Sequence, residues 1–256
     1  MDYRLTLLDF ETSLRAVTSM VFPRRCLACG AVLNLSEEGL CLCCSADMPY
    51  TRFGEWRRNP MADRFNAAIE AGAAEERAGA LAAPGYEDAA ALFHYRAGYK
   101  NITRSLKYAR NFRGGGRYAV ELGRMLAAAP QYRDVDVIVP VPLHWTRVVS
   151  RGYNQAATIA AGVARAFPSS AVVPLLRRCR RTHSQARLEA GRKAGNVKGA
   201  FAVREGPAAA VSGRSHILLV DDVFTTGATL SECYMALREA FGRDVKISAA
   251  TLAFAG

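Results

Sequence analysis

The stretch His216 to Thr229, His-Ile-Leu-Leu-Val-Asp-Asp-Val-Phe-Thr-Thr-Gly-Ala-Thr, constrains this chain more than any other. Ile217 to Val220 is a short apolar run of the kind a strand buried on both faces needs, and Gly227 to Ala240 has helical spacing. The residues between them therefore read as a strand-to-helix turn. Such turns lie at the carboxyl edge of an open α/β sheet, where backbone N–H groups and the helix dipole favour a phosphate. Thr225, Thr226 and Thr229 add hydroxyl donors, and Gly227 lets the backbone close around an anion. The alternative is a βα turn in which Asp and Thr only cap a helix. No G-x-x-x-x-G-K-[ST] occurs, which removes an ordinary ATP-binding P-loop.

The rest of the chain alternates in the same way. Strands are predicted at Ala89 to Tyr95, Val135 to Val139, Val172 to Leu176 and Val245 to Ala253. Helices are predicted at Lys100 to Tyr108, Tyr118 to Ala128 and Gln155 to Phe167, with Arg113-Gly-Gly-Gly as a loop. Alternation of this kind implies an α/β fold, a mainly parallel sheet with flanking helices. With 256 residues, half of them hydrophobic, there is material for one full domain and a small appendage. An Ala-rich, charged stretch with weak helical periodicity ends at Pro84-Gly85. We divide the chain into an N-terminal helix and metal module (1–52), a helical connector (53–84) and the α/β domain (85–256).

Five of the seven cysteines fall between positions 26 and 44, as Cys26-x2-Cys29, eleven intervening residues, then Cys41-x2-Cys44, with Cys43 spare. This is tetrathiolate zinc spacing: each C-x2-C turn presents two thiolates to one tetrahedral ion, with Gly30 and Gly39 supplying tight backbone. Four protein thiolates leave no open position for water, so the zinc is structural. A disulfide pair is the alternative, and the odd cysteine count and the lack of a visible export signal weigh against it. Cys179 and Cys233 read as buried small hydrophobes.

Net charge is 34 minus 23, or +11, which favours anionic ligands without choosing among phosphates, nucleic acid and acidic lipid. Leu5 to Phe22 is interrupted by Asp9, Glu11 and Arg15, too polar to span a bilayer. It reads as an amphipathic helix, packed on the domain or lying on a membrane surface, in a soluble, cytoplasmic protein. Two further segments draw notice. Pro140-Val-Pro-Leu-His-Trp-Thr-Arg-Val-Val-Ser-Arg-Gly-Tyr-Asn-Gln follows the Val135 strand, and its amides with Arg147 and Arg151 suit a multiply charged anion. Arg177 to Phe201 is long and polar, with eight Arg or Lys residues by Lys198, as a mobile lid or a solvated charged surface would be. His183 lies in it as a candidate proton donor.

The Val220 to Thr229 decapeptide resembles the 5-phosphoribosyl-1-pyrophosphate (PRPP) signature of type I phosphoribosyltransferases. Taken with the Cys-x2-Cys pairs, Ser105-Leu-Lys-Tyr, Pro140-Val-Pro-Leu-His, Arg151-Gly-Tyr-Asn-Gln, Arg181-Thr-x-x-Gln185 and Asn196-Val-x-Gly-Ala-Phe, in this order, the chain resembles the ComF family over nearly its whole length. His183 and Ser184 depart from its common pattern. The resemblance implies a phosphoribosyltransferase-like fold that binds PRPP and magnesium at Asp221, Asp222, Thr225, Thr226, Gly227, Ala228 and Thr229. Asp221 and Asp222 would meet the ribose hydroxyls and help to hold the magnesium. Pyrophosphate would lie near Pro142, Leu143, His144 and Arg147, with Arg151 close by. It further implies zinc at Cys26, Cys29, Cys41 and Cys44, a role in DNA uptake during natural transformation, and a helicase partner. Two functions follow. One is PRPP-dependent catalysis or binding, including a metabolic phosphoribosyltransferase without a DNA role. The other is single-stranded DNA handling, with the basic segment on the phosphates and Trp56, Tyr108 or Trp145 stacking bases.

Overall fold

The structure, a computed structural model, describes residues 23–76, 85–106, 112–143, 152–179, 199–208, 211, 213 and 215–256. The predicted amphipathic helix at Leu5 to Phe22 lies outside them, as do Tyr108, His144, Trp145, Arg147, Arg151 and residues 180–198. In chain order the elements are α1 (Leu42–Ala46), α2 (Pro60–Glu76), β1 (Ala89–His94), α3 (Lys100–Ser105), α4 (Phe112–Ala128), a 3-10 turn (Pro130–Tyr132), β2 (Val137–Pro140) and α5 (Gln155–Ala164). They continue with β3 (Ala171–Val172), β4 (Leu176–Arg178), β5 (Phe201–Val203), α6 (Glu205–Ala208), β6 (His216–Phe224), α7 (Ala228–Phe241) and β7 (Lys246–Phe254).

Five strands form one sheet in the order β1-β7-β6-β2-β3, with every neighbouring pair parallel. Every residue of β2 is buried, as is every residue of β7 after Lys246, so the sheet is covered on both faces. Helix α4 packs on α5 and α2 packs on α7. The α4–α5 pair sits backbone to backbone: a Cβ on Gly162 would lie 2.4 Å from the Ala119 Cβ, and one on Gly123 2.6 Å from the Val163 carbonyl oxygen. No larger residue fits either position without separating the helices.

Two predicted elements differ, and a third is described only in part. Arg113-Gly-Gly-Gly is not a loop; it lies in the first turns of α4. The buried stripe Tyr118, Ala119, Leu122, Leu126 holds the helix on the core, and extending it toward Phe112 offsets the roughly 1 kcal/mol that each glycine costs. The Val172 to Leu176 strand is two strands in different sheets, β3 beside β2 and β4 paired antiparallel with β5. Pro174 stands between them and has no N–H for a ladder. The predicted Lys100 helix is described to Ser105, and Tyr108 lies outside the described residues.

At the amino edge of the sheet the ends of the strands carry a charged network. His216, fully buried, places Nδ1 2.8 Å from an Asp134 carboxylate oxygen and Nε2 2.7 Å from the Ser248 hydroxyl. Lys246 lies 3.7 Å from both Asp134 and Asp88, and Arg57 donates to Asp88 at 3.1 Å. Beside it Arg238 pairs with the buried Glu87 at 2.9 Å, and the Tyr234 hydroxyl donates to the same carboxylate at 2.7 Å. A cavity of about 340 Å³ opens here, lined by Ile69, Ala73, Glu87, Tyr234 and Arg238. Ligands of parallel α/β sheets bind at the other edge.

Candidate functional site

At the carboxyl edge, β6 runs four residues further than its apolar run, through Asp221, Asp222, Val223 and Phe224. The reason lies in its neighbour: β7 continues to Phe254, and the register pairs Asp221 with Thr251 and Phe224 with Phe254. The acidic pair is thus the end of a strand, and the turn proper is Thr225-Thr226-Gly227. Gly227 adopts φ +82°, ψ −11°, a left-handed conformation that turns the chain into α7. A Cβ there would meet the Phe224 ring at 2.9 Å and the Ala68 Cβ of α2 at 3.2 Å. The first helical bond runs from the Ser231 N–H to the Gly227 carbonyl at 2.8 Å.

Thr225 and Thr226 are exposed, while Asp221, Asp222, Ala228 and Thr229 are half-buried. The Asp222 N–H donates to an Asp221 carboxylate oxygen at 2.8 Å, which orients that carboxyl at the strand end. The loop therefore brings two carboxylates and three threonines to the amino end of a 14-residue helix. That combination can hold a polyol phosphate: hydroxyls and N–H groups for the phosphate, carboxylates for sugar hydroxyls or a hard cation. Arg64, on α2 one turn before Ala68, lays its guanidinium 5.2 Å from the Phe254 ring centroid beside this edge. Nothing in its local sequence pointed to that position.

The second predicted segment begins at the adjoining strand. The Val141 N–H donates to the Val220 carbonyl at 2.9 Å, immediately before the acidic pair, and Asn154 Nδ2 donates to the Val141 carbonyl at 3.0 Å. Pro142 and Leu143 follow, half-buried at the same edge. Asn154 caps α5, its side-chain oxygen accepting from the Ala156 N–H at 3.2 Å. Gln155, next to it, is 3% exposed and its side-chain nitrogen has no hydrogen-bond partner.

The basic segment leaves and re-enters through the β4–β5 ribbon. Cys179 N–H donates to the Ala200 carbonyl at 2.7 Å, and the Gly199 N–H to Glu232 of α7 at 2.9 Å, which ties both ends beside that helix. Cys179 is exposed, contrary to the buried position predicted, because it follows a two-stranded ribbon outside the main sheet, and its sulfur accepts from Arg177 at 3.1 Å. Cys233 is buried as predicted.

In the cysteine module the Sγ atoms of Cys26, Cys29, Cys41 and Cys44 all lie within 4.8 Å of one another, and those of Cys29 and Cys41 are 3.8 Å apart. Zinc–sulfur bonds of about 2.3 Å in a tetrahedron place sulfurs about 3.8 Å apart, so these four cysteines fit a structural zinc ion. Gly30 and Gly39 have φ of +78° and +73°, the left-handed backbone the knuckles use. Burial pushes the Cys26 thiol up, but the backbone around Cys29, Cys41 and Ala28 outweighs it through hydrogen bonds and leaves it lowered to about 6. Burial and the neighbouring thiols push Cys44 up. Zinc binding to such a cluster would release the remaining thiol protons. Cys43, the fifth cysteine, faces solvent.

The module packs on the carboxyl end of β1. Asn101 donates to the Leu27 carbonyl at 2.9 Å, the Tyr99 hydroxyl to the carbonyls of Cys44 and Asp47, and a Cβ on Gly98 would lie 2.9 Å from the Ala28 oxygen. The parallel sheet, the carboxyl-edge loop and the four-cysteine module define an α/β protein of phosphoribosyltransferase-like architecture. No family model matches the chain. It is 25% identical over 233 residues to Competence protein F of Haemophilus influenzae, which covers 88% of this chain and 96% of that protein. Together with the cysteine cluster, this similarity supports placing the chain in the ComF family. Among the described residues no helix is long and apolar enough to cross a membrane.

Proposed function

We propose that this protein binds PRPP with magnesium at the Val220–Thr229 loop and acts in DNA uptake, where it handles single-stranded DNA. The observation that carries the PRPP reading is the acidic pair at the end of β6 followed by Thr-Thr-Gly-x-Thr at the start of α7. Magnesium, when bound with the ligand, would neutralise the pyrophosphate. Asp221 and Asp222 accept from the ribose hydroxyls and hold the sugar still. Thr225, Thr226, Gly227, Ala228 and Thr229 cradle the 5-phosphate with hydroxyls and N–H groups. Pro142, Leu143, His144, Arg147 and Arg151 would meet the pyrophosphate. In a transfer, a nucleobase or amine acceptor would form the new bond to the anomeric carbon as the bond to pyrophosphate breaks, through an oxocarbenium-like centre, so the work of this site would be grip and charge stabilisation. Zinc at Cys26, Cys29, Cys41 and Cys44 shapes the module that buttresses β1.

The uptake role draws on the similarity to Competence protein F. The DNA role draws on the +11 charge, the basic segment 177–198 and Trp56, which is 55% exposed. A competence helicase is the natural partner for such a protein. Calorimetric titration of PRPP with and without magnesium tests the site. Binding should require magnesium and vanish in the double variant Asp221→Ala, Asp222→Ala. Native affinity in that variant would reduce the pair to a helix cap. Pyrophosphate release with a nucleobase or amine acceptor, and no affinity for single strands, would instead mark a metabolic phosphoribosyltransferase.

A further inference from the structure

The outer side of the α4–α5 pair carries a groove of about 420 Å³, away from the carboxyl-edge loop. Small residues make it: Gly162 lies against Ala119, which brings the helices together, and Gly116, Val120 and Ala161 line the trough above that contact. No described residue comes within 4 Å of where a Cβ on Gly116 would lie. Arg117 from α4 and Arg165 from the end of α5 complete the lining with Thr158, and both arginines are exposed. Helix α5 has no acidic residue, and Glu121, the one carboxylate of α4, accepts from the Tyr50 hydroxyl. Among the described residues neither arginine has a carboxylate within ion-pair distance. A concave surface with a cation from each helix and no opposing charge concentrates positive potential.

The lining also narrows the anion. It contains no aromatic ring on which a base could stack, and no large apolar side chain that could enter a bilayer. A second copy of the chain would bring the same arginines to the contact. Guanidinium forks beside a hydroxyl match phosphate oxygens, which only accept. The groove also lies apart from the basic segment. From β2 to β3 and from β6 to β7 the chain steps in opposite directions along the sheet, so right-handed crossovers put α5 and α7 on opposite faces. The β5 strand, where the basic segment re-enters, packs on α7. We infer that the α4–α5 groove is a second contact surface for single-stranded DNA, in which Arg117 and Arg165 hold the phosphodiester backbone and leave the bases free. This rests on the DNA-handling reading and adds to it a surface on the other face of the sheet.

The test uses the whole protein and fluorescence anisotropy across a salt series, with labelled oligo-dT and an abasic strand of the same length. Three variants are compared: Arg117→Ala with Arg165→Ala, Ala161→Glu in the trough, and Arg58→Ala with Arg133→Ala, which removes the same charge near the amino edge. All the replaced side chains are exposed, so thermal melting should match the native protein. The groove double variant should lower the logarithmic salt slope by about 1.4, or 0.7 for each of two phosphate contacts, and equally on both strands. Ala161→Glu should weaken both strands several-fold, and the amino-edge variant should keep the native slope. If native protein binds oligo-dT and the groove variants bind as it does, this inference alone fails and the basic segment keeps the DNA. An equal fall in the amino-edge variant would reduce the effect to net charge, and a fall on oligo-dT alone would mean base contacts; either overturns the assignment. So would native DNA binding by groove variants that lose poly-glutamate, phosphatidylserine vesicles or self-association in sedimentation. If the native protein binds neither strand, the DNA reading falls and takes the inference with it.

Discussion

Replacing Gly227 with alanine tests the Thr225–Thr229 loop at its tightest point. Two costs can be read from the structure. The residue has φ +82°, and a left-handed conformation costs an L-residue about 1–2 kcal/mol. The added Cβ would also lie 2.9 Å from the Phe224 ring and 3.2 Å from the Ala68 methyl, both from packed elements, and overpacking of this kind costs about 1–3 kcal/mol. Phe224 is 1% exposed and its ring is stacked near Phe254, with centroids 5.8 Å apart, so it has little room to withdraw. Together these give a loss of about 3 kcal/mol, which for a chain of this size lowers the melting temperature by roughly 6–12 °C. Gly152→Ala separates the two costs, since Gly152 has φ +80° but no described residue within 4 Å of a Cβ. It should lose only the backbone share, about 1–2 kcal/mol. Thermal melting of the three proteins at one pH and salt concentration reads the difference. A Gly227→Ala protein that melts with the native chain, or falls no further than Gly152→Ala, would refute the close approach of α2 and Phe224 to the loop.

Metal analysis of the purified protein should find one zinc per chain, and Cys29→Ser should reduce occupancy severely, because one of four thiolates is gone. Stability should fall as pH drops below about 6.5. Burial holds the pKa of His216 below its ordinary value despite the Asp134 carboxylate, and Lys246 adds to the depression, so the unfolded chain binds the proton that the folded one refuses. The slope from this residue is at most about 1.4 kcal/mol per pH unit, and His216→Gln should flatten it in urea unfolding between pH 5 and 7; the contribution of His94, also depressed by burial and by Arg96, would remain. Binding of a labelled single-stranded oligonucleotide should weaken with salt at a logarithmic slope of roughly three to five, near 0.7 per phosphate contact. Arg180→Ala with Arg181→Ala and Arg187→Ala should lower that slope, and a flat response in the native protein would reject electrostatic binding.

What was legible in the sequence was what neighbouring residues encode. The apolar run of β6, the helical spacing of α7 and the paired Cys-x2-Cys turns are contiguous, and they appear where their patterns put them. The misreadings arose where a distant partner decides. Val223 and Phe224 look like a turn because they follow two carboxylates at the strand end, yet β7 supplies a ladder for them as far as Phe254. Three successive glycines look like a loop, yet the core holds the helix that contains them. Gln155 could be seen only as a letter in a motif; its burial and unmet donor are properties of the packed edge.

The same edge explains why the cysteine module and the loop belong to one unit. The chain leaving the module pairs with β1 itself: the His94 N–H donates to the Pro49 carbonyl, the Thr51 N–H to the Leu92 carbonyl, and the Thr51 hydroxyl to the Ala91 carbonyl. Phe53 then packs edge-on against His94 and Phe254, and Phe254 packs on Phe224, the residue before Thr225. Cys26, Leu33, Leu40 and Met48 share one continuous apolar core with the strands. A disturbance of the four-cysteine module therefore has a path of packed rings to the Thr225–Thr229 loop across β1 and β7, and a second path to α4, because the Tyr50 hydroxyl donates to Glu121 and Gly54 faces Met125. Loss of zinc should be felt at the loop through the position of Phe224, and along α4 through Tyr50 at Glu121 and Gly54 at Met125.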